Sequence, residues 1–225
     1  MRRKKSKVPL IGLSHQAAFL SPKTPRPKAK NLFAEWVFRN YAPCSKATAF
    51  HFEAYDDFIQ HPILRSKVKD LKLSQAGKYL VYLPAYNEQL LKQLLSQVKE
   101  AEWLIFSKEC KEDYHFQNLE FRKIDGDSFL NELAAAKGLL CSAGFEAPAE
   151  ALYLKKKLFV IPIKGQYEQD CNAEALNLKG VPSVKTLNKN SLSALKNWVS
   201  NPQQLEPQKI TAAEDLIISI LDNLK

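Results

Sequence analysis

From Lys78 to Gly180 the chain alternates apolar runs of strand length with runs of helical period, and this rhythm constrains its fold more than any other feature. KYLVYLP reads as a strand, NEQLLKQLLSQV as a helix, EWLIFSK and LEFRKI as strands, DSFLNELAAA as a helix capped by Asp127, and GLLCSA as a strand. An alanine-rich helix, an apolar strand from Leu158 to Ile163 and a helix NAEALNLKG that stops at Gly180 complete the series. Strands and helices alternating at this spacing imply an α/β fold, a parallel Rossmann-like sheet with helices on both faces. Ligands of such sheets sit beyond the carboxyl ends of the strands, which is where the turn SAGFE and the polar loop KGQYEQ both fall.

The flanks are less regular. VPLIGL (Val8 to Leu13) reads as a buried strand that ends at Ser14, His15 and Gln16. The following SPKTPRPKAK is a loop or hinge, since its prolines forbid regular structure. Asn31 is placed to cap a helix, LFAEWVFRNYA, with Leu32, Trp36, Val37 and Tyr41 on one face. ATAFHFE alternates like a short strand, and HPILRSKVKDL resembles a linker. Beyond Gly180, NSLSALKNWVSN is a helix with Leu192, Leu195 and Val199 on one side. TAAEDLIISILDNLK begins with Thr211 and Glu214 in capping-box spacing.

The formal charge of +9 resides in the first 30 residues, where Arg2, Arg3, Lys4, Lys5, Lys7, Lys23, Arg26, Lys28 and Lys30 meet no acid. Such a run is a solvated leader or a contact for an anionic membrane surface. A nucleic-acid partner is not expected, because the interleaved aromatic and basic residues of a base-reading surface are missing. Val8 to Leu13 is too short for a signal peptide, and no apolar run approaches the roughly 20 residues of a membrane span. Cys44, Cys110, Cys141 and Cys171 form no C-x-x-C pair, which suits reduced thiols of a cytoplasmic protein rather than a metal site or a disulfide framework.

Chemistry concentrates between Gly138 and Ala173. A strand entering a helix through a Gly-containing turn aims free N–H groups and the positive helix end at one spot, which suits phosphate. Gly144 would let a diphosphate approach the backbone; its other reading is a glycine needed by the turn alone. Pro148 fits the first helical turn. Glu150 lies about one turn into the helix, where a carboxylate can take the two hydroxyls of a ribose or simply pair with the helix dipole. Gln166, Glu168, Gln169 and Asn172 crowd the end of the next strand, as a sugar's hydroxyls require; alternatively Asn172 caps a helix and the others are solvated. His15 also ends a strand and is a weak candidate for catalysis.

The sequence CSAGFEAPAEALYLKKKLFVIPIKGQYEQDCNAEALNLKG closely resembles the donor-nucleotide segment of GT-B glycosyltransferases. That group includes the lipid-linked N-acetylglucosaminyltransferases of peptidoglycan synthesis and related bacterial UDP-glycosyltransferases. The resemblance implies that Ser142, Gly144 and Phe145 hold the donor diphosphate, Glu150 the ribose, and Gln166, Glu168, Gln169 and Asn172 the sugar. Ile124 and Phe129 would lie near the base. It implies a UDP-sugar as donor substrate, no cofactor and no metal. Three departures stand out: Leu158 where relatives have proline, Lys155-Lys156-Lys157 in place of a small-residue turn, and Glu146 where a hydroxyl residue is common.

On this resemblance residues 1–45 are a remnant of an acceptor domain with its hinge, 46–77 an interdomain linker, 78–200 the donor domain and 201–225 a C-terminal helix. Most of the acceptor domain would be missing, so a separate acceptor-domain protein is an expected partner. A nucleotide-sugar epimerase of GT-B architecture and a non-catalytic binding module are the alternatives.

Overall fold

The alternation between Lys78 and Gly180 folds into a mostly parallel sheet of six strands, and a second, three-stranded sheet lies ahead of it in the chain. The computed structural model describes residues 10–41, 44, 46–74 and 77–222. The chain divides into two units, residues up to Ile63 together with those from Lys209, and Leu64–Gln208.

The first unit holds β1 (Ile11–Ser14), a 3-10 turn over Gln16–Leu20, α1 (Leu32–Asn40), β2 (Lys46–Phe50) and β3 (Ile59–Gln60), the strands all parallel in the order β1-β2-β3. Val8 and Pro9 of the expected strand lie outside the described residues. Asn31 caps α1 as expected, its side chain accepting from the Ala34 N–H. The face of α1 differs from expectation: Leu32, Trp36 and Tyr41 are exposed, as is Phe33. Instead α1 packs through Phe38, whose ring stacks on Phe19 at 4.7 Å. The proline-rich loop is tied down by Arg26, which bonds Glu35 at 2.6 Å and the carbonyl oxygens of Phe19 and Thr24.

The expected linker over 46–77 is corrected by the same sheet. Residues 46–60 supply β2 and β3, because the alternating KATAF run pairs with β1 from Lys46 to Ala49, and the division falls after Ile63.

The second unit contains α2 (Ser66–Lys69), β4 (Tyr79–Tyr82), α3 (Glu88–Leu95), β5 (Trp103–Ser107), β6 (Tyr114–Phe116), β7 (Leu119–Lys123), α4 (Gly126–Ala135), β8 (Gly138–Ser142), α5 (Glu146–Tyr153), β9 (Lys157–Ile161), α6 (Tyr167–Leu178) and α7 (Leu192–Ser200). The sheet order is β6-β7-β5-β4-β8-β9, parallel except for β6. The path steps from β4 outward to β7, then returns to β8 and leaves in the other direction. Right-handed crossovers therefore put α3 and α5 on opposite faces. Trp103, Phe121, Leu140 and Phe159 fill the core, and Trp198 of α7 packs on Tyr79 at 5.0 Å. Each such side chain contributes about 1.5–3 kcal/mol by leaving water.

Three local expectations are revised. The cap of α4 is Asp125, which accepts from the Ser128 N–H at 2.7 Å, while Asp127 pairs with Lys67 at the surface. α6 starts at Tyr167, so the second half of the expected KGQYEQ loop is helix. The last helix, α8 (Ala213–Asp222), groups with the first unit; the Ala212 carbonyl accepts its first bond, and the Thr211 N–H is used by Pro62. Among the described residues no helix is long and apolar enough to cross a membrane.

Two of the three lysines at the start of β9, Lys156 and Lys157, serve the fold. Lys156, 2% exposed, donates to the carbonyl oxygens of Ser74 and Ala134, and burial lowers its pKa. Lys157 donates to Trp198, Val199 and Asn201 at the end of α7. A cation at a helix C-terminus satisfies carbonyls that lack intrahelical partners. Lys156→Met is expected to lower stability by about 1–2 kcal/mol, the cost of the orphaned carbonyls less the relief of an unburied charge. Denaturant unfolding measures it.

Candidate functional site

The neighbours β4 and β8 are the strands at which the chain's crossovers diverge. In open parallel sheets the crevice outside the carboxyl ends at such a switch point is where ligands bind. A cavity of about 220 Å³ opens there, lined by Tyr82 at the end of β4, Phe106 near the end of β5, the start of α4, and Glu146, Ala147 and Glu150 of α5. The volume is below the roughly 300–1,000 Å³ of sites for drug-sized ligands. A larger hollow of about 480 Å³ in the first unit borders Lys46, Ala47 and Phe58, at the amino ends of β2 and β3. That is the wrong end of a parallel sheet for a ligand.

Glu150 lies on α5 with 2% of its side chain exposed, and Arg65 holds it as a fork: Nε donates to Oε1 and Nη2 to Oε2, each at 2.7 Å. Arg65 precedes α2 and is 49% exposed. Its pKa is raised above the usual value first by the bond to Glu150. No local pattern marks this pair, because Arg65 sits 85 residues away in what reads as a linker. Ile124 and Phe129 line the same cavity, and the Phe129 ring stands edge-on to Tyr82 at 5.7 Å and Phe106 at 5.6 Å. The resemblance implies the span from Ile124 to Phe129 near the base; Tyr82 and Phe106 carry no sign of the site in the sequence.

Ser142 ends β8, and Gly144 and Phe145 lead into α5, with Phe145 at its N-cap. The N–H groups of Glu146 and Ala147 open the helix, where no intrahelical acceptor exists. A Cβ built at Gly144 meets no protein atom within 4 Å, and its φ is not left-handed. Neither a left-handed backbone nor packing therefore demands glycine at this position. Glu146 puts a carboxylate at this same helix end.

Asn172 is fully buried in α6 and donates from Nδ2 to the Ala143 carbonyl at 3.1 Å. It is neither a helix cap nor exposed to a sugar; it braces the turn that carries Gly144. Asn172→Ala is expected to cost about 1–3 kcal/mol by stranding a buried carbonyl, measured by denaturant unfolding. Gln166 and Gln169 bond each other at 2.7 Å, and Gln169 Oε1 accepts from the Ile163 N–H. This pair ties the segment after β9 to the first turn of α6. Glu168 in the first turn of α6 is half-buried, and burial raises its pKa.

His15 belongs to the first unit. Its Nδ1 is 2.9 Å from the Phe50 carbonyl, and its ring packs on Phe19 at 5.5 Å and His51 at 5.0 Å. His51 is held neutral, its pKa well below the usual value through burial and then through His15 and Arg26.

Sheet order, crevice and helix start together describe a nucleotide-binding α/β unit. A family model described as glycosyl transferase family 1 matches residues 4–201, and the chain belongs to this family. No curated protein matches it. Among solved structures it is similar to the glycosyltransferase of kitacinnamycin, with 15% identity, TM-score 0.47, and coverage of 64% of this chain and 42% of that one. LpCGTa in complex with UDP shares 13% identity at TM-score 0.47, covering 81% and 53%. MurG of Acinetobacter baumannii shares 12% at TM-score 0.43, covering 82% and 58%. The chain thus spans about half the length of these structures.

Proposed function

We propose that the chain is the donor-binding part of a glycosyltransferase that uses a UDP-sugar. The observation that supports this reading most is the convergence, in one crevice, of Glu150, the apolar residues Ile124 and Phe129, and the open start of α5 at Gly144. Glu150 takes the ribose, Ile124 and Phe129 flank the base, and the N–H groups of Glu146 and Ala147, beside Ser142 and Gly144, take the diphosphate. The donor sugar extends toward Glu168 in the first turn of α6. Backbone donors and the helix dipole then stabilise the departing diphosphate without a metal; fixed electrostatics of this kind are often the largest catalytic contribution.

Transfer also requires an acceptor aligned against the anomeric carbon and a base to take its proton. In this reading an acceptor domain supplies both, and the basic residues near the start make peripheral contact with an anionic membrane. Calorimetric titration with UDP, UDP-N-acetylglucosamine and ADP tests the donor assignment. Binding of both uridine ligands in preference to ADP is expected. Absence of binding by every uridine diphosphate ligand would leave only a non-catalytic role.

A further inference from the structure

Glu150 is the residue assigned to the ribose, yet both its oxygens are already engaged. Arg65 presents two donors side by side, Nε to Oε1 and Nη2 to Oε2. A vicinal diol presents its two hydroxyls to a carboxylate in the same side-by-side manner, so fork and diol compete for one edge. With Glu150 only 2% exposed, the protein covers the other approaches to the carboxylate. The two ligands of Glu150 therefore exclude each other.

Arg65 is built to leave. Its side chain is half exposed, it stands at the end of an extended segment before the four-residue α2, and it lines the cavity. Its other electrostatic neighbours are Glu146 and Asp127. Glu146 is the first residue of α5, so Arg65 stands within electrostatic reach of the helix end assigned to the diphosphate. A dianion there meets the Glu146 carboxylate and needs a cation beside it. A guanidinium matches phosphate oxygens as well as it matches a carboxylate.

Resting on the donor reading above, we infer that Arg65 fills the ribose subsite of the empty protein. The ribose diol displaces it from Glu150, and the freed guanidinium moves onto the diphosphate. One residue thereby couples recognition of the nucleoside to recognition of the phosphates, and the crevice favours ligands that carry both.

The test compares uridine with UDP on the full chain at pH 8, by calorimetry, for the unmodified protein, Arg65→Ala and Arg65→Lys. In Arg65→Ala, uridine is expected to bind as tightly as before or more tightly, while UDP weakens by about tenfold or more, the loss of a charge-assisted contact. Arg65→Lys, which keeps the charge without the fork, recovers most of the UDP affinity. Equal weakening of uridine and UDP in Arg65→Ala overturns the inference, since it would mean that Arg65 only orients Glu150; so does no change in either. A measurement that needs no altered fold is the Arg65 Nε–H resonance of labelled protein. It is expected to shift when uridine saturates the site, and an unmoved resonance overturns the exchange. If the unmodified protein binds neither ligand, the donor reading fails along with the inference, an outcome seen before any variant is made.

Discussion

Glu150→Ala is expected to weaken UDP binding by about a hundredfold or more while leaving the fold intact. Two hydroxyl donors on one carboxylate are worth roughly 1.5–3 kcal/mol each, and every 1.4 kcal/mol is about tenfold in Kd. The fold tolerates the change for a reason visible in the pair itself. Arg65 is 49% exposed, so water takes over its fork when Glu150 is gone. Alanine is also the better helix former at a position inside α5. Removing the other partner has the opposite balance: Arg65→Ala leaves a carboxylate that is 2% exposed without its counter-charge, and uncompensated buried charge is costly. Thermal unfolding should thus rank Arg65→Ala below Glu150→Ala in stability, while UDP titration ranks Glu150→Ala as the weaker binder. UDP affinity of Glu150→Ala within threefold of the parent protein would remove the ribose assignment.

Gly144→Ala carries the second large effect, and it separates binding from folding. The backbone at Gly144 is not left-handed and nothing lies within 4 Å of an added Cβ. The substitution is expected to leave stability unchanged or raise it by about 0.4–1 kcal/mol, through a less flexible unfolded chain. The added methyl occupies the space through which a diphosphate reaches the N–H groups that open α5, so UDP affinity falls by about tenfold or more, and further with Gly144→Val. Uridine, which carries no phosphate, is expected to bind unchanged. Gly138 provides the contrast, because a Cβ there would meet Lys157 Cβ at 2.8 Å and the Trp198 ring at 3.1 Å. Gly138→Ala should lose stability first, and binding only as a consequence. A Gly144→Ala protein with parental affinity for UDP would place the diphosphate elsewhere.

The parallel unit was readable because buried strands and amphipathic helices leave periodic signals that no long-range contact is needed to see. Asn31, Gly180 and the strand before Gly144 could be placed from local chemistry alone. The misreadings share one cause, which is that side chains were assigned to solvent or ligand when the fold had already used them. Asn172 looks like a sugar contact or a cap until α6 carries it, buried, to the Ala143 carbonyl. Gln166 and Gln169 look available until they bond each other and the Ile163 N–H. Lys156 and Lys157 look like a charged turn until they are found on the carbonyls of distant helix ends. Arg65 was invisible for the same reason in reverse, since its partner is reached only when the chain closes across 85 residues. The alternation of ATAFHFE marks β2 in the sequence, whereas β3 leaves no sign because a two-residue strand carries too little pattern to stand out.

The account rests on one claim, that the crevice at the carboxyl ends of β4 and β8 holds a uridine nucleotide in a defined orientation. The structure of the chain crystallised with UDP tests it most directly. The ribose hydroxyls are predicted on Glu150, the diphosphate on the N–H groups of Glu146 and Ala147 beside Gly144, and the base against Ile124 and Phe129. UDP ordered anywhere else, or bound here with its ribose away from Glu150, would contradict it.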